Sequence, residues 1–323
     1  MIEISVVIAT RNRAELLYRC LTALLGQTLP LERFEVIVID DGPSEATRQA
    51  VQQIAERGRG RMTLRYRKSK GTRGPAGARN VGWRASTAEL IAFTDDDTVP
   101  DADWLAEGCF AMQGRAAAVS GRTSVPCRGR PTDHARNTLG LEAAEFVTAN
   151  AFVRRSALEA VGGFDERFTR AWREDSDLHF SLIERFGPIG RAPKAVVLHP
   201  VRPAAWGVSI GQQANVCFDA LLYRKHPALY RERIRHRPPW LYLLIVACAG
   251  SALGLALGGA YLAAGLCAAV SVGAVLAFAQ RRLRGASLAP AHVAEMLCTS
   301  FMIPFASLFW RLVGSVRFRV LFP

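Results

Sequence analysis

Three consecutive aspartates, Asp95-Asp96-Asp97, close the apolar run LIAFT and precede a turn at Pro100. Carboxylates crowded together repel one another unless a cation neutralises them. Hard oxygen ligands of this kind suit magnesium or manganese held jointly with phosphate groups. The plainer reading is a solvated acidic turn with a helix cap at Asp101. A second acidic cluster, Glu174-Asp175-Ser176-Asp177, opens a segment that carries Leu178, Leu182, Ile183 and Phe186. Acids in a first helical turn serve as caps and dipole complements, and one of them can equally take a proton from an attacking hydroxyl. Neighbouring acids raise such a pKa while a helix terminus lowers it, and the sequence leaves that contest open. His199 follows the apolar run AVVL and reads either as a third metal ligand or as a strand end. Asp40-Asp41-Gly42 ends another apolar run; it can accept from a nucleobase N–H or a ribose hydroxyl, or form an Asx-turn. The segment from Gly71 to Asn80 is glycine-rich and basic. Its glycines allow close backbone approach, and Arg73 and Arg79 can meet phosphate or base; a surface loop is the alternative.

Several chemistries fail at their own motifs. The first strand ends in ATRNR, without the GxGxxG of a dinucleotide site, and the basic loop lacks the GK[ST] of a phosphate-binding Walker loop. The net charge of +13 invites nucleic acid, but no nucleic-acid-binding motif or interleaved aromatic pattern accompanies it, so no such partner is expected. Seven scattered cysteines, with no CxxC pair, fit reduced thiols better than disulfides or zinc. Met1-Ile2-Glu3-Ile4-Ser5 lacks a basic lead and an apolar signal core, so the first domain is expected to stay unexported.

The elements that must position these residues alternate. ISVVIAT (4–10), FEVIVID (34–40), MTLRYRK (62–68) and ELIAFTD (89–95) read as strands. Helical patterns lie between them, including one along Leu16, Leu17, Cys20, Leu21, Leu24 and Leu25. That order predicts an α/β fold in which a sheet is covered by helices on both faces. Ligands then bind beyond the carboxyl ends of the strands, where Thr10-Arg11, Asp40-Asp41 and the aspartate triplet all fall. Less regular strands are expected near 116–124 and 148–154, and helices near 156–161, 174–186 and 208–224.

From Pro238 to Gln280 the chain carries no charge, and Gly258-Gly259 divides this run into two spans of membrane-crossing length. Arg231, Arg233, Arg235 and Arg237 precede the first span; Arg281, Arg282 and Arg284 follow the second. Basic residues at both ends place both on the cytoplasmic side. Gly250, Gly254 and Gly258 form a stripe expected to let the two helices approach closely. Segment 289–316 is apolar but holds Glu295, Pro304 and Arg311, so an interfacial or re-entrant helix is expected there. The expected domains are therefore a catalytic domain over 1–230, a transmembrane hairpin over 238–280, and a basic loop with the further apolar helix over 281–323.

SVVIATRNR, FEVIVIDDG, GPAGARNVGW, FTDDDTVP, NAFVRRSALEAVGGFDERF and REDSDL, followed by His199, stand in an order that resembles the family 2 glycosyltransferases from Ser5 to about Pro227. The resemblance implies a mixed sheet of GT-A (Rossmann-like) type and transfer of one sugar, with inversion, from a nucleotide-diphosphate sugar. Thr10, Arg11, Asp40, Arg73, Arg79, Asp95 and Asp96 would then line the nucleotide-sugar pocket. Asp97, Asp95 and His199 would hold a divalent metal, Mg2+ or Mn2+. Asp175 would be the general base beside Glu174, and Phe152 and Arg155 would lie near the acceptor. Bulky Trp172 and Arg173 stand before Glu174, where small residues are usual, and mark Trp172 for the acceptor side. The QxxRW motif of processive synthases is absent, which argues for single transfer. The resemblance also implies a lipid-linked or membrane-proximal acceptor, a bacterial plasma-membrane location with the catalytic domain in the cytoplasm, and work on cell-envelope polysaccharide. Two alternatives remain: a sugar-phosphate nucleotidyltransferase, which normally has a glycine-rich loop after the first strand, and a nonenzymatic membrane scaffold with a degenerate site.

Overall fold

The computed structural model describes residues 2–69 and 74–323. The chain forms two compact units, Met1–Pro126 with Leu139–Val201, and Cys127–Thr138 with Arg202–Pro323.

The first unit is built on one eight-stranded sheet. Its strands are β1 (Ile4–Thr10), β2 (Phe34–Asp40), β3 (Thr63–Lys68), β4 (Leu90–Asp95), β5 (Val99–Pro100), β6 (Ala118–Ser124), β7 (Ala151–Arg154) and β8 (Gly190–Leu198). Their order across the sheet is β3-β2-β1-β4-β7-β6-β8-β5. β1 to β4 pair in parallel, as their alternation with helices predicts. Beyond β4 the sheet is mixed: β7 enters antiparallel to β4 and β6, and β5 antiparallel to β8. Helices α1 (Ala14–Leu25), α2 (Glu45–Arg57), α3 (Pro75–Ala85), α4 (Trp104–Ala111), α6 (Arg155–Val161) and α7 (Glu174–Phe186) connect the strands of this unit, while α5 (Asp133–Leu139) belongs almost wholly to the second unit.

Side chains alternate across a strand, and that parity sorts the core into two layers. Ile4, Val6 and Ile8 of β1 pack with Leu17, Leu21 and Leu24 of α1. Val7, Ile91 and Phe93 point to the other face, against Trp83 of α3 and Leu178 and Leu182 of α7. Helix α3 lies close to the sheet because Gly82 has no side chain; a Cβ there would stand 2.3 Å from Val7 Cγ1. Gly82→Ala is therefore expected to cost about 1–3 kcal/mol through overpacking. Thermal unfolding of the purified variant measures this, and an unchanged midpoint would contradict the packing.

The second unit holds α8 (Val208–Gly211), α9 (Val216–Lys225), α10 (Pro227–Arg233), α11 (Trp240–Leu257), α12 (Tyr261–Leu283) and α13 (Pro290–Phe318). Gly211 and a short 3₁₀ turn over Gln212–Asn215 break the single helix expected at 208–224. Helices α11, α12 and α13 are each long and apolar enough to cross a membrane, by length and composition. α11 and α12 pair as a hairpin, with the Tyr242 and Phe278 rings 5.2 Å apart and Ser271 Oγ donating to Ile245 O. The glycine stripe does not make that contact. A Cβ at Gly250 or Gly254 would meet open space, so those two residues lie off the helix pair.

Candidate active site

The aspartate triplet sits where β4 leaves the sheet. Thr98 folds the chain back, its hydroxyl donating to Asp95 O at 2.7 Å and its N–H to the same oxygen. The chain then enters β5, which pairs with the end of β8 so that Val99 faces Leu198. That register sets His199 beside Asp97, with His199 Nε2 3.7 Å from Asp97 Oδ1. Ligand atoms of Asp95, Asp97 and His199 all lie within 4.8 Å of one another. This spread is close to that of a single coordination sphere, and two carboxylates with one imidazole are donors that Mg2+ and Mn2+ accept. His199 and Asp97 are both nearly buried, and His199 Nδ1 has no hydrogen-bond partner. Three polar groups gathered in so little solvent fit a cation.

Arg79 joins this cluster to the second acidic one. It projects from α3 and is buried, donating from Nη2 to Asp95 Oδ1 at 2.7 Å and from Nη1 to Glu174 Oε1 at 3.0 Å. The strand parity that aims Asp95 at α3 and α7 makes this bridge geometrically available. Burial pushes the Asp95 carboxyl up, but the Arg79 guanidinium and then His199 outweigh it and hold it below the usual carboxylate range. Glu174 is pushed up to about 7, first by burial and then by the neighbouring Asp175, against the pull of Arg79. Asp175 is also raised, chiefly by burial. The net direction is thus upward, and its main cause is burial, which the sequence does not show. Glu174 is sealed, with Oε2 unpartnered, whereas Asp175 keeps part of its surface accessible and accepts from Ser176 N at 2.7 Å. Arg173 precedes them in the left-handed region at φ 73°, its guanidinium 4.7 Å over the half-buried Trp172 ring. A bulky residue at positive φ is strained backbone, here at the entrance to the acidic turn.

Other residues expected at the site sit differently. Asp96 points to the opposite sheet face from Asp95; it accepts from Thr10 Oγ1 at 2.7 Å and Arg13 Nη1 at 3.1 Å and is almost wholly buried. Thr10 and Asp96 therefore tie the ends of β1 and β4 together and offer little to a ligand. Asp40 is fully buried, accepting from Gly42 N, Ser44 N and Tyr66 OH, and so builds its own turn at the carboxyl end of β2. Arg11 is exposed at the end of β1 with its stem against Gly42. Arg73 lies outside the described residues. The direction of β7 places Phe152 and Arg155, the residues expected near the acceptor, away from Asp95. Because β7 runs antiparallel, Phe152 pairs with Ala92 and Arg154 with Leu90, so Arg155 follows at the end of β4 remote from Asp95. Phe152 is fully buried against Trp104, and Arg155 donates to the carbonyls of Ser86 and Ala88.

A model described as glycosyl transferase family 2 matches residues 5–162, and one described as glycosyl transferase family group 2 matches residues 90–310. The chain belongs to the family 2 glycosyltransferases. Glycosyltransferase AglE of Haloferax volcanii is 27% identical to it over 215 residues, covering 62% of this chain and 67% of the relative. Validoxylamine A glucosyltransferase of Streptomyces hygroscopicus subsp. jinggangensis is 30% identical over 275 residues, covering 71% and 62%. This glycosyltransferase thus spans about two thirds or less of the curated relatives' length. The fold matches the mannosyltransferase PcManGT from Pyrobaculum calidifontis, solved with GDP-Man and Mn2+, with a TM-score of 0.58, 21% identity and coverage of 98% of this chain and 87% of that one.

Sequence reasoning passed over several residues that tie these elements together. Arg13 neutralises Asp96. Asn80 joins α3 to the loop before α7, donating to Phe164 O and Glu166 Oε1 and accepting from Phe164 N. Asn150, also buried, bonds Trp104 Nε1 and the carbonyls of Arg122 and Ala195. All three stand in quoted motifs, Arg13 closing SVVIATRNR, Asn80 inside GPAGARNVGW and Asn150 opening NAFVRRSALEAVGGFDERF, and that is the signal that could have found them.

Proposed function

We propose that this family 2 glycosyltransferase moves a single sugar, with inversion, from a nucleotide-diphosphate sugar to a hydroxyl on a lipid-linked or membrane-proximal acceptor. The observation that carries this reading is Arg79, which brings the Asp95–Asp97–His199 cluster and the Glu174–Asp175 turn to one place. Asp97, Asp95 and His199 would hold a divalent ion, Mg2+ or Mn2+, which supplies Lewis-acid neutralisation of the departing diphosphate. Mn2+ and GDP-Man in the mannosyltransferase with the same fold support that ligand class. Arg79 keeps Asp95 ionised and turned toward the cluster. Arg11, exposed beyond β1, would meet the nucleotide. Asp175 has the accessible carboxylate of the acidic pair and would accept the proton of the attacking hydroxyl, while Glu174, held by Arg79, positions it. Preorganised charge of this kind stabilises the separating ions without reorganisation.

Helices α11 and α12 would anchor the chain as a transmembrane hairpin, leaving residues 1–230 as the catalytic domain in the cytoplasm. A bacterial plasma membrane and cell-envelope glycan synthesis fit that arrangement. Incubating membranes with UDP-, dTDP- and GDP-sugars and extracted lipids tests the substrate class. A lipid bearing one added sugar of inverted anomeric configuration is expected, and a polymeric product would contradict single transfer.

The pH profile follows from the raised carboxyls. A base works only when deprotonated, and the Glu174–Asp175 pair titrates as a unit. Burial raises Asp175 and pushes Glu174 beside it up to about 7, so kcat/KM is expected to fall with acid from above the ordinary carboxylate range, with a limiting slope of about tenfold per unit for one proton. Initial rates between acid and mildly alkaline pH check this. A flat profile down to the ordinary carboxylate range would contradict the burial of the pair.

A further inference from the structure

From the contacts of α13, and given the hairpin anchor proposed above, we infer that this third apolar helix does not cross the bilayer. It lies in the membrane plane across the base of the α11–α12 hairpin, its apolar face seated at the boundary between phospholipid headgroups and acyl chains. The base of the hairpin is where α11 begins and α12 ends, marked by Tyr242 against Phe278; the tip is at Gly258-Gly259.

Contacts along α13 stay at that base. Near its start, His292 Nε2 accepts from Asp133 N, and Glu295 accepts from Gly207 N at 2.8 Å. Thr299 and Ser300 accept from Arg282, the penultimate residue of α12. A helix running up beside the hairpin from that point would carry Phe318 about 27 Å away, level with the tip. Phe318 is instead held by α9, its carbonyl accepting from Arg224 Nη1 at 3.0 Å and its ring 6.4 Å from Phe218. Leu321 and Phe322, just beyond α13, line one cavity with His236 and Pro238, immediately ahead of α11. Both halves of α13 therefore return to the level at which the hairpin starts. Gly314 seals the contact with α9, since a Cβ there would stand 2.7 Å from Cys217 O.

The two faces of α13 divide accordingly. Met296, Ile303, Ser307, Arg311 and Gly314 face protein and are buried. Phe301, Phe305, Phe309, Leu312 and Val316 recur at spacings of three and four, and all are exposed. A row of large apolar side chains left in water is unfavourable. Arg235, Arg281, Arg284, Arg317 and Arg319 are exposed near the same base, suited to lipid phosphates. An apolar face flanked by cations is the pattern of a helix lying in the interface.

Two crossings and three crossings put the end of the chain on opposite sides. Green fluorescent protein, bright only in the cytoplasm, and alkaline phosphatase, active only outside it, are fused in turn after Pro323 and inserted at Gly259 in the full chain. Bright fluorescence after Pro323 together with phosphatase activity at Gly259 is expected. Phosphatase activity at both positions means three crossings and overturns the inference. Fluorescence at both positions means that the hairpin itself fails to cross, which overturns the anchor reading and the inference resting on it. Depth is read separately with Phe305→Trp, near the middle of α13, in nanodiscs of brominated lipid. The added emission is expected to be quenched more by bromine near the headgroup than at the chain end; the reverse order, or no quenching, overturns the in-plane seat.

Discussion

Asp175→Asn lowers turnover by about 10²–10⁴-fold, the usual contribution of a positioned general base, while donor affinity stays near that of the parent. The side chain keeps its shape and its contact with Ser176 N, so the loss is of basicity rather than structure. Glu174 cannot substitute, because Arg79 occupies one of its oxygens and the other is enclosed. The pH dependence separates this from a folding defect: the residual activity of Asp175→Asn no longer falls with acid as the parent's does. Stopped-time assays with saturating acceptor, together with donor titration by calorimetry, measure both quantities. Near-normal turnover would remove Asp175 from the base role, and lost donor binding would make it a donor ligand instead.

Asp97→Ala and removal of divalent ions by chelation have a comparable effect by another route. A metal acting on a leaving diphosphate contributes several kcal/mol, and each 1.36 kcal/mol is tenfold in rate, so a loss of about 10²–10⁴-fold is expected. Unlike Asp175→Asn, Asp97→Ala also weakens donor binding, since the ion links protein and diphosphate. Added Mg2+ or Mn2+ restores the chelated parent and does not restore the variant. Full activity in chelator would exclude a divalent ion from this site's chemistry.

Much of the sheet was legible in the sequence. β1, β2 and β4 are covered on both faces, so they are continuous apolar runs, and each ends in polar residues at the carboxyl edge. The aspartate triplet and His199 were legible as candidates for the same reason. The register that joins them was not. It depends on β5, two residues long, pairing with β8 nearly a hundred residues later. The placement of Phe152 and Arg155 was not legible, because nothing local to residues 151–155 announces that β7 runs against β4. A basic residue after glycines reads as free to bind phosphate, but Arg79 is held by Asp95, partly exposed on β4, and by buried Glu174 from a distant segment. Asp96 was grouped with its neighbours, although one step along the chain turns a side chain to the other face. The Gly250–Gly254 stripe follows a real packing rule, but on the side of α11 turned away from α12.

Ligand-dependent thermal stabilisation is the most direct measurement of whether Asp95, Asp97 and His199 hold a nucleotide-diphosphate sugar through a divalent ion. The purified protein is melted with Mn2+ alone, with each of UDP-, dTDP- and GDP-sugars alone, and with both together. At about a hundredfold excess over Kd, one donor with Mn2+ should add about 2.7 kcal/mol, a rise of about 5–10 °C in Tm for a unit of this size. Donor without metal should give little, and Asp97→Ala should lose the combined effect. An equal rise without metal, or one that survives in Asp97→Ala, would contradict a metal-bridged donor site.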